Sequence, residues 1–310
     1  MRHRLLALIL VCTGLGACVG YRLSPEPRLH AHDGFLQVQP AAVADGTLSV
    51  MTVNLAHGRG NGFHQLLQDG DTARENLDAV GVLIDRERPQ VVALQEADAP
   101  SGWSGAFDHV GYLARSTGFS WSLRSAHAEG AGLRYGTALI SRLPVSDKGA
   151  YTFAPARAAL PKGFSLLTVR WPATGQLVDV VSLHLEPLRA AVRQRQMRQL
   201  VAALADRDRP LIVMGDFNTE WGHDDGVLER VAEDLRLQAY AADDPDLATY
   251  PRLNRRLDWI LVSGHFEFVS YRVLPDPVSD HRAVVAELRA RKRKDDPVAG
   301  SSPAALADGT

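Results

Sequence analysis

Apolar and polar residues form short segments along most of the chain, and their pattern switches repeatedly between strand-like and helix-like spacing. Alternating or continuous apolar runs predict strands, whereas apolar residues recurring every three or four positions predict helices. The first clear strand covers residues 48–54, and the first clear helix covers residues 73–88 and ends before Pro89. The same criteria predict strands at 91–96, 135–144, 164–171, 177–185, 210–215, 257–263, 266–273 and 283–288, and helices at 191–204 and 227–235.

Many short strands interrupted by helices predict an α+β fold, in which packed sheets are flanked by helices. We expect one continuous domain over residues 47–289. Residues 19–46 carry several prolines and scattered polar residues, and are predicted to be a tether with little structure of its own. Residues 290–310 begin with basic residues and continue with small and polar ones, so they are predicted to be a disordered tail.

Residues 1–18 have the pattern of a signal peptide. Basic residues 2–4 precede the apolar residues 5–11, a run too short to cross a bilayer. Leu15-Gly16-Ala17-Cys18 resembles a bacterial lipobox; the alternative is an ordinary secretory signal that is cleaved near Ala17. A lipidated Cys18 predicts an extracytoplasmic protein anchored to the membrane of the bacterial envelope. Val19 in place of Asp favours the outer membrane.

Composition adds few constraints. The chain has 310 residues, of which 45% are hydrophobic and 23% charged, as in an ordinary soluble globular protein. Its formal net charge of -2 provides no overall positive field that would draw it onto nucleic acid, although a local basic groove stays open as an alternative. We expect a monomer.

Polar residues with metal or phosphate chemistry stand at the ends of the predicted strands. Side chains at strand ends can converge on one site, because a rigid scaffold holds them there. Each also has a structural alternative, such as a turn for an Asn or an ion pair between Asp258 and a neighbouring Arg. The set comprises Asn54, Glu96, His184, Asp216, Asn218, Asp258, Asp280 and His281.

Seven short motifs occur in an order that resembles the endonuclease/exonuclease/phosphatase superfamily, which includes deoxyribonucleases, abasic-site endonucleases and neutral sphingomyelinases. The resemblance implies a four-layer α/β sandwich, with two mostly antiparallel sheets packed face to face and helices outside. The motifs are Thr52-Val53-Asn54, Leu94-Gln95-Glu96, residues 135–144, Ser182-Leu183-His184, Gly215-Asp216-Phe217-Asn218, residues 256–260 and Ser279-Asp280-His281.

The superfamily's chemistry implies a metal-dependent phosphoester hydrolase. Its matched positions make Glu96 the first candidate metal ligand, with Asn54 and Asp280 as further ligands. Oxygen ligands suit Mg²⁺, and Mn²⁺ is the alternative ion.

The remaining matched residues imply acid–base and phosphate-binding roles. His281 is expected to be the base or to orient the phosphate, and Asp258 to orient His281. Asp216 and Asn218 are expected to position the nucleophile and the phosphate, and His184, in its charged form, to donate a hydrogen bond to the phosphate. Whether Asp216 or His281 takes the proton stays open.

The substrate is the least determined property. The lipid anchor favours a phosphodiesterase acting on a lipid head group or a small phosphoester at a membrane face, by in-line attack of water. The alternatives are an extracytoplasmic nuclease cleaving DNA or RNA and an inactive scaffold lipoprotein. Three roles are open for a Gly-rich loop that carries His57, Arg59 and His64: it forms a second metal site, contacts the substrate, or is simply a solvated loop. Three roles are likewise open for Trp103 and Phe107, namely stacking on a base, contact with lipid, or packing at the edge of the core.

Overall fold

The computed structural model describes residues 20–21, 26–35, 46–62, 69–130, 132–157 and 159–291. The predicted signal peptide with Cys18, the loop residue His64 and the predicted tail beyond residue 291 lie outside these ranges. Their assignments therefore stay predictions. None of the helices in the described ranges combines the length and the apolar character needed to cross a bilayer.

The described residues form fourteen strands and four α-helices. The strands are β1 (Gly20–Tyr21), β2 (Arg28–Ala31), β3 (Leu48–Asn54), β4 (Val91–Asp98), β5 (Trp121–Gly130), β6 (Leu133–Ser141), β7 (Val145–Thr152), β8 (Gly163–Arg170), β9 (Leu177–His184), β10 (Leu211–Asp216), β11 (Leu237–Ala239), β12 (Asp258–Ser263), β13 (Phe266–Val273) and β14 (Val284–Ala290). The helices are α1 (Gly70–Glu87), α2 (His109–Ser116), α3 (Ala190–Leu204) and α4 (Val227–Asp234). Short 3₁₀ helices follow β3 at Ala56–Gly58 and precede β12 at Pro245–Leu247.

The strands belong to two sheets. The first has the order β1-β5-β6-β4-β3-β14-β13, with β2 also paired to β5, and the second has the order β11-β12-β10-β9-β8-β7. Pairing is parallel between β3 and β4 and between β9 and β10, and antiparallel elsewhere. Each parallel pair encloses a helix, α1 or α3, because a parallel connection must cross back over the sheet.

Alternation along the strands explains the layers. In β3, Leu48 and Val50 point between the sheets, where they join a core fed by both, whereas Met51 and Val53 point outward against α1. The outer face of the second sheet packs in the same way against α3 and α4. The result is the predicted α+β sandwich of two β-sheets with helices outside, which confirms the expected fold class.

The tether prediction needs a correction. Within residues 19–46, β1 and β2 both pair with β5 in antiparallel register. Main-chain hydrogen bonds hold an added strand without an apolar side-chain pattern, so hydrophobicity gives little sign of it. The pattern also misses β5, β11 and the short helix α2. It misses the edge strand β7 as well, whose residues are largely half-buried or exposed.

A buried His between the sheets predicts a pH effect on stability. His127 contacts Thr152 Oγ1 through Nδ1 at 2.9 Å and Thr137 Oγ1 through Nε2 at 2.8 Å. Burial, reinforced by the charge of Lys162, lowers the pKa of His127 to about 3. The unfolded chain takes up this proton near pH 6.5, so the stabilising contribution is complete above that pH and is lost progressively as the pH falls toward 3.

We expect the wild type to lose about 2 kcal/mol more unfolding free energy than His127→Gln between pH 7 and pH 5. Gln retains polar contacts to the threonines and does not titrate. Urea unfolding of both proteins at the two pH values measures the difference, in which the titration of other groups cancels. Equal pH dependence of the two proteins would contradict the assignment.

Candidate active site

Register brings the predicted polar residues of the second sheet together. β9 and β10 run parallel and place Asp216 beside His184, whereas β12 runs antiparallel and places Asp258 on the other side of Asp216. Asn54 ends β3 in the facing sheet, and its Nδ2 donates to Asp216 Oδ2 at 3.1 Å. The two sheets therefore meet at one site. Side chains at strand ends converge there, as expected from the sequence.

Glu96 reaches this site through a distortion of its strand. It has a φ of 49°, and the register between β4 and β6 shifts between Leu94 and Ala97. A left-handed conformation is unfavourable for a residue with a Cβ, and such bulges redirect side chains next to functional sites. The Glu96 side chain is 18% exposed, whereas its neighbours Gln95 and Ala97 are buried.

The predicted pairing of Asp258 with His281 is present. His281 Nδ1 lies 2.8 Å from Asp258 Oδ2, and Thr249 Oγ1 donates to the same oxygen at 2.7 Å. Tyr250 packs against the His281 ring with centroids 5.0 Å apart. These contacts fix the ring and leave Nε2 as the nitrogen available to a substrate.

Asp216 is held from three sides. Besides Asn54, the backbone N–H of Asn218 donates to Asp216 Oδ1 at 2.9 Å, and His184 Nε2 lies 3.5 Å from Oδ2. Asn218 adopts a φ of 54° and donates from Nδ2 to the Leu185 carbonyl at 3.0 Å. Asn218 thus shapes the turn after β10 and holds Asp216 through its backbone N–H.

Charge and burial shift the pKa values of Asp216 and His281. Burial raises the pKa of Asp216 to about 7, against the attraction of the His281 charge. Burial alone would lower the pKa of His281, but Asp258 and Asp216 outweigh it and raise that pKa to about 10. Perturbed carboxyl and imidazole groups in one cleft are typical of catalytic sites.

Lys162 is a site residue that the sequence analysis missed. It is buried directly before β8, and its Nζ lies 2.9 Å from His184 Nε2 and 3.9 Å from Glu96 Oε1. Burial, followed by the charge of Lys162, lowers the pKa of His184 well below its ordinary value, so the expectation of a charged His184 needs correction. A lone Lys directly before a buried strand is the only sequence signal of its role.

Arg59, from the Gly-rich loop, lies between two of the predicted metal ligands. Its Nη2 contacts Asp280 Oδ2 at 2.5 Å, and its Nη1 lies 3.9 Å from Glu96 Oε2. The Arg59 guanidinium therefore balances negative charge on both carboxylates, and a divalent cation held by Glu96 and Asp280 stays a prediction. The amide oxygen of Asn54 already accepts from the Ala56 N–H at 3.0 Å, and it keeps a second lone pair for a ligand.

A second group of side chains also has metal-ligand geometry. Asp216, Asp258 and His281 each offer one ligand atom, and these atoms lie within 4.8 Å of one another. Among the described residues, Asp258 Oδ1 is buried without a hydrogen-bond partner. The site therefore has donors for a divalent cation, and the choice of ligand set stays a prediction.

The loop residues left open by the sequence have defined places. His57 is buried and contacts both Asp98 and Glu96, so it is not part of a solvated loop. Trp103 donates from Nε1 to Asp98 Oδ2 at 2.7 Å and packs against His57. Phe107 packs on His109 and Tyr112 of α2.

A sequence model of the Endonuclease/Exonuclease/phosphatase family matches residues 51–281, which contain every predicted site residue. The chain belongs to this family. Its members are hydrolases that depend on divalent metals, in agreement with the acidic groups found here. Among curated proteins, none matches the sequence.

Solved structures of this family share the fold. An endonuclease/exonuclease/phosphatase from Beutenbergia cavernae is 24% identical with a TM-score of 0.62, and the match covers 79% of this chain and 72% of that one. The human Nocturnin catalytic domain, solved with a bound sulfate anion, is 19% identical with a TM-score of 0.61, over 86% and 98%. A mannosyl-6-phosphatase from Bacteroides thetaiotaomicron is 18% identical with a TM-score of 0.56, over 78% and 99%.

Proposed function

We propose that this protein is an Mg²⁺-dependent phosphodiesterase that acts on a lipid head group or a small phosphoester. The observation that carries the proposal is the cluster of His281, Asp258, Asp216 and Glu96, which combines one imidazole with three carboxylates and has Lys162 beside Glu96. Phosphoester hydrolysis needs proton-exchanging groups and positive charge, since a water must lose a proton while a dianionic phosphorane-like centre is stabilised.

The chain's own residues divide this work. Water forms a new P–O bond, the ester P–O bond breaks, and the leaving oxygen takes up a proton. Asp216 and His281 are placed to exchange these protons, with His281 held in one orientation by Asp258. Lys162 supplies a cationic donor to a phosphate oxygen, and His184 holds its Nζ in place at 2.9 Å. A divalent cation at Glu96 would neutralise a non-bridging oxygen and assist the leaving oxygen.

Two exposed leucines support a lipid substrate. Leu188 is 79% exposed and lies in the loop after His184, and Leu253 is 65% exposed and lies in the loop after Tyr250, which packs on His281. Apolar side chains on loops that border the site can enter a lipid surface. A lipid anchor at Cys18 would raise the local concentration of lipid substrates further.

The test compares substrate classes on one purified protein. Candidate substrates are sphingomyelin and phosphatidylinositol phosphates in vesicles, duplex DNA, RNA and bis-nitrophenyl phosphate, each with and without Mg²⁺. The proposal expects metal-dependent cleavage of a lipid head group and of the activated diester. Cleavage of DNA or RNA alone, falling steeply between low and physiological salt, would instead identify a nuclease.

A leucine variant is expected to separate membrane contact from chemistry. Leu188→Ser with Leu253→Ser should lower cleavage of vesicle lipids about thirtyfold, because each of the two lost apolar side chains removes roughly 1 kcal/mol of membrane binding. Hydrolysis of soluble bis-nitrophenyl phosphate should stay unchanged.

The matched control is Val82→Ser, because Val82 is 71% exposed in the middle of α1. It should leave both activities unchanged. Equal loss on vesicles and on the soluble diester in the leucine variant would contradict a role in lipid contact.

A further inference from the structure

A second imidazole–carboxylate pair lies on the opposite side of Glu96 from His184. His57 is 7% exposed, its Nδ1 lies 2.8 Å from Asp98 Oδ1, and its Nε2 lies 3.2 Å from Glu96 Oε2. A chain of contacts thus runs from buried Asp98 through His57 to Glu96. The acid–base chemistry proposed for His281 does not use this chain.

The His57 ring is clamped in this orientation. Trp103 packs against it with centroids 4.6 Å apart, and Tyr135 packs edge-on at 4.7 Å. Asp98 is fully buried and is itself fixed, because its Oδ2 accepts from Trp103 Nε1 at 2.7 Å and from Ser101 Oγ at 3.2 Å. Rotation of the imidazole would break both the ring packing and the contact with Asp98.

The backbone on both sides of the contact is held in an unfavourable conformation. Ala56 and His57 have φ values of 46° and 57°, and Glu96 has 49°. Left-handed backbone in residues with a Cβ persists only where surrounding structure enforces it, and it concentrates at functional sites. The two segments that carry His57 and Glu96 are therefore both distorted where their side chains meet.

The contact with His57 sets which carboxylate oxygen of Glu96 faces Lys162 and His184. Oε2 is on the side of His57 and Arg59, whereas Oε1 lies 3.9 Å from Lys162 Nζ and 4.0 Å from His184 Nε2. A carboxylate fixed through one oxygen presents the other in a constant direction. Outer contacts of this kind orient metal ligands and commonly change metal affinity tenfold to a hundredfold.

We propose that His57, oriented by Asp98, is a positioning residue that fixes Glu96 for divalent-cation binding. The inference rests on the proposed metal-dependent function, and on Glu96 as a ligand. A role in packing alone would not require Nε2 to face the carboxylate or Asp98 to be buried behind the ring.

The test measures metal binding without substrate. Isothermal titration calorimetry with Mn²⁺ on the purified full-length protein is expected to show affinity about tenfold to a hundredfold weaker in His57→Gln and in Asp98→Asn than in wild type. Activity at saturating Mn²⁺ should recover toward the wild-type level, since the variants lose cation affinity and keep the reacting groups. Glu96→Gln combined with His57→Gln should bind Mn²⁺ no more weakly than Glu96→Gln alone.

His109→Gln is the matched control. His109 is also buried, lies beside the same loop and contacts the Ser104 carbonyl at 2.8 Å. It should lower the unfolding temperature and leave Mn²⁺ affinity unchanged. If His57→Gln does not fold, Asp98→Asn provides the same comparison, because it only replaces one carboxylate oxygen with an amide group.

Three results would overturn the positioning role: unchanged Mn²⁺ affinity in folded His57→Gln, an equal loss in His109→Gln, or no Mn²⁺ binding by wild type. Because the readout does not depend on turnover, it separates the two proposals. A wild type that binds Mn²⁺ but hydrolyses no phosphoester would refute the proposed function, while weaker binding in His57→Gln would still support the role of His57.

Discussion

Replacing His281 with alanine is expected to lower kcat for phosphodiester hydrolysis by about 10²–10⁴-fold, as for the loss of a positioned acid–base group. The structure gives this expectation a specific basis. His281 is nearly buried, its Nδ1 is bound to Asp258, and Asp216 lies in the same cluster. Alanine removes the proton-exchanging group and also leaves the buried Asp258 carboxylate without its partner.

The measurement is steady-state hydrolysis of bis-nitrophenyl phosphate at saturating Mg²⁺, together with thermal unfolding to identify any general loss of structure. His265→Ala is the control, since His265 is exposed and contacts Ser263 at the end of β12. It should retain wild-type kcat. Retention of wild-type turnover in a folded His281→Ala protein would remove His281 from the chemistry.

The second large effect concerns Glu96. Glu96→Gln keeps the shape of the side chain and removes its charge, so the Mg²⁺ concentration for half-maximal activity should rise about 10²-fold or more, beyond the range for outer contacts. Burial would raise the pKa of Glu96, but His57, Lys162, His184 and Arg59 outweigh it and lower that pKa. The carboxylate is therefore charged at working pH, as a cation ligand requires.

Activity is measured across a Mg²⁺ titration, and the stabilisation of the protein by Mg²⁺ is measured in parallel by thermal unfolding. Wild type should be stabilised by the ion, whereas Glu96→Gln should respond only at much higher concentrations. Glu267→Gln is the control, because Glu267 lies on the surface and pairs with Arg289. Identical Mg²⁺ dependence in wild type and Glu96→Gln would exclude Glu96 as a ligand.

The sequence predicted the central strands and helices closely because their apolar positions match the faces that pack between the two sheets or between a sheet and its helices. β3 was predicted to the residue, and β8, β9, β10 and α3 to within one or two residues at each end. All of these are buried on at least one face, so periodicity and burial coincide. β2 and β7 escaped the pattern, since backbone pairing at a sheet edge demands little from side chains.

The site shows the same division. The motifs identified the residues at the strand ends because the chemistry of phosphoester hydrolysis needs carboxylate, amide and imidazole groups, and these are recognisable in order along the chain. Lys162 and Asp98 carried no such signal. Lys162 contacts His184 and Glu96, and Asp98 contacts His57, and all of these contacts join separate segments of the chain.

Ser279-Asp280-His281 illustrates where the limit lies. The tripeptide lies in a bend before β14, where Asp280 contacts Arg59 while His281 contacts Asp258. The sequence alone determined the residue types, the strand pattern and the family, because these depend on local periodicity and short motifs. Only the tertiary structure decided which charges neutralise one another, since register between strands and packing between sheets set the distances on which electrostatic interactions depend.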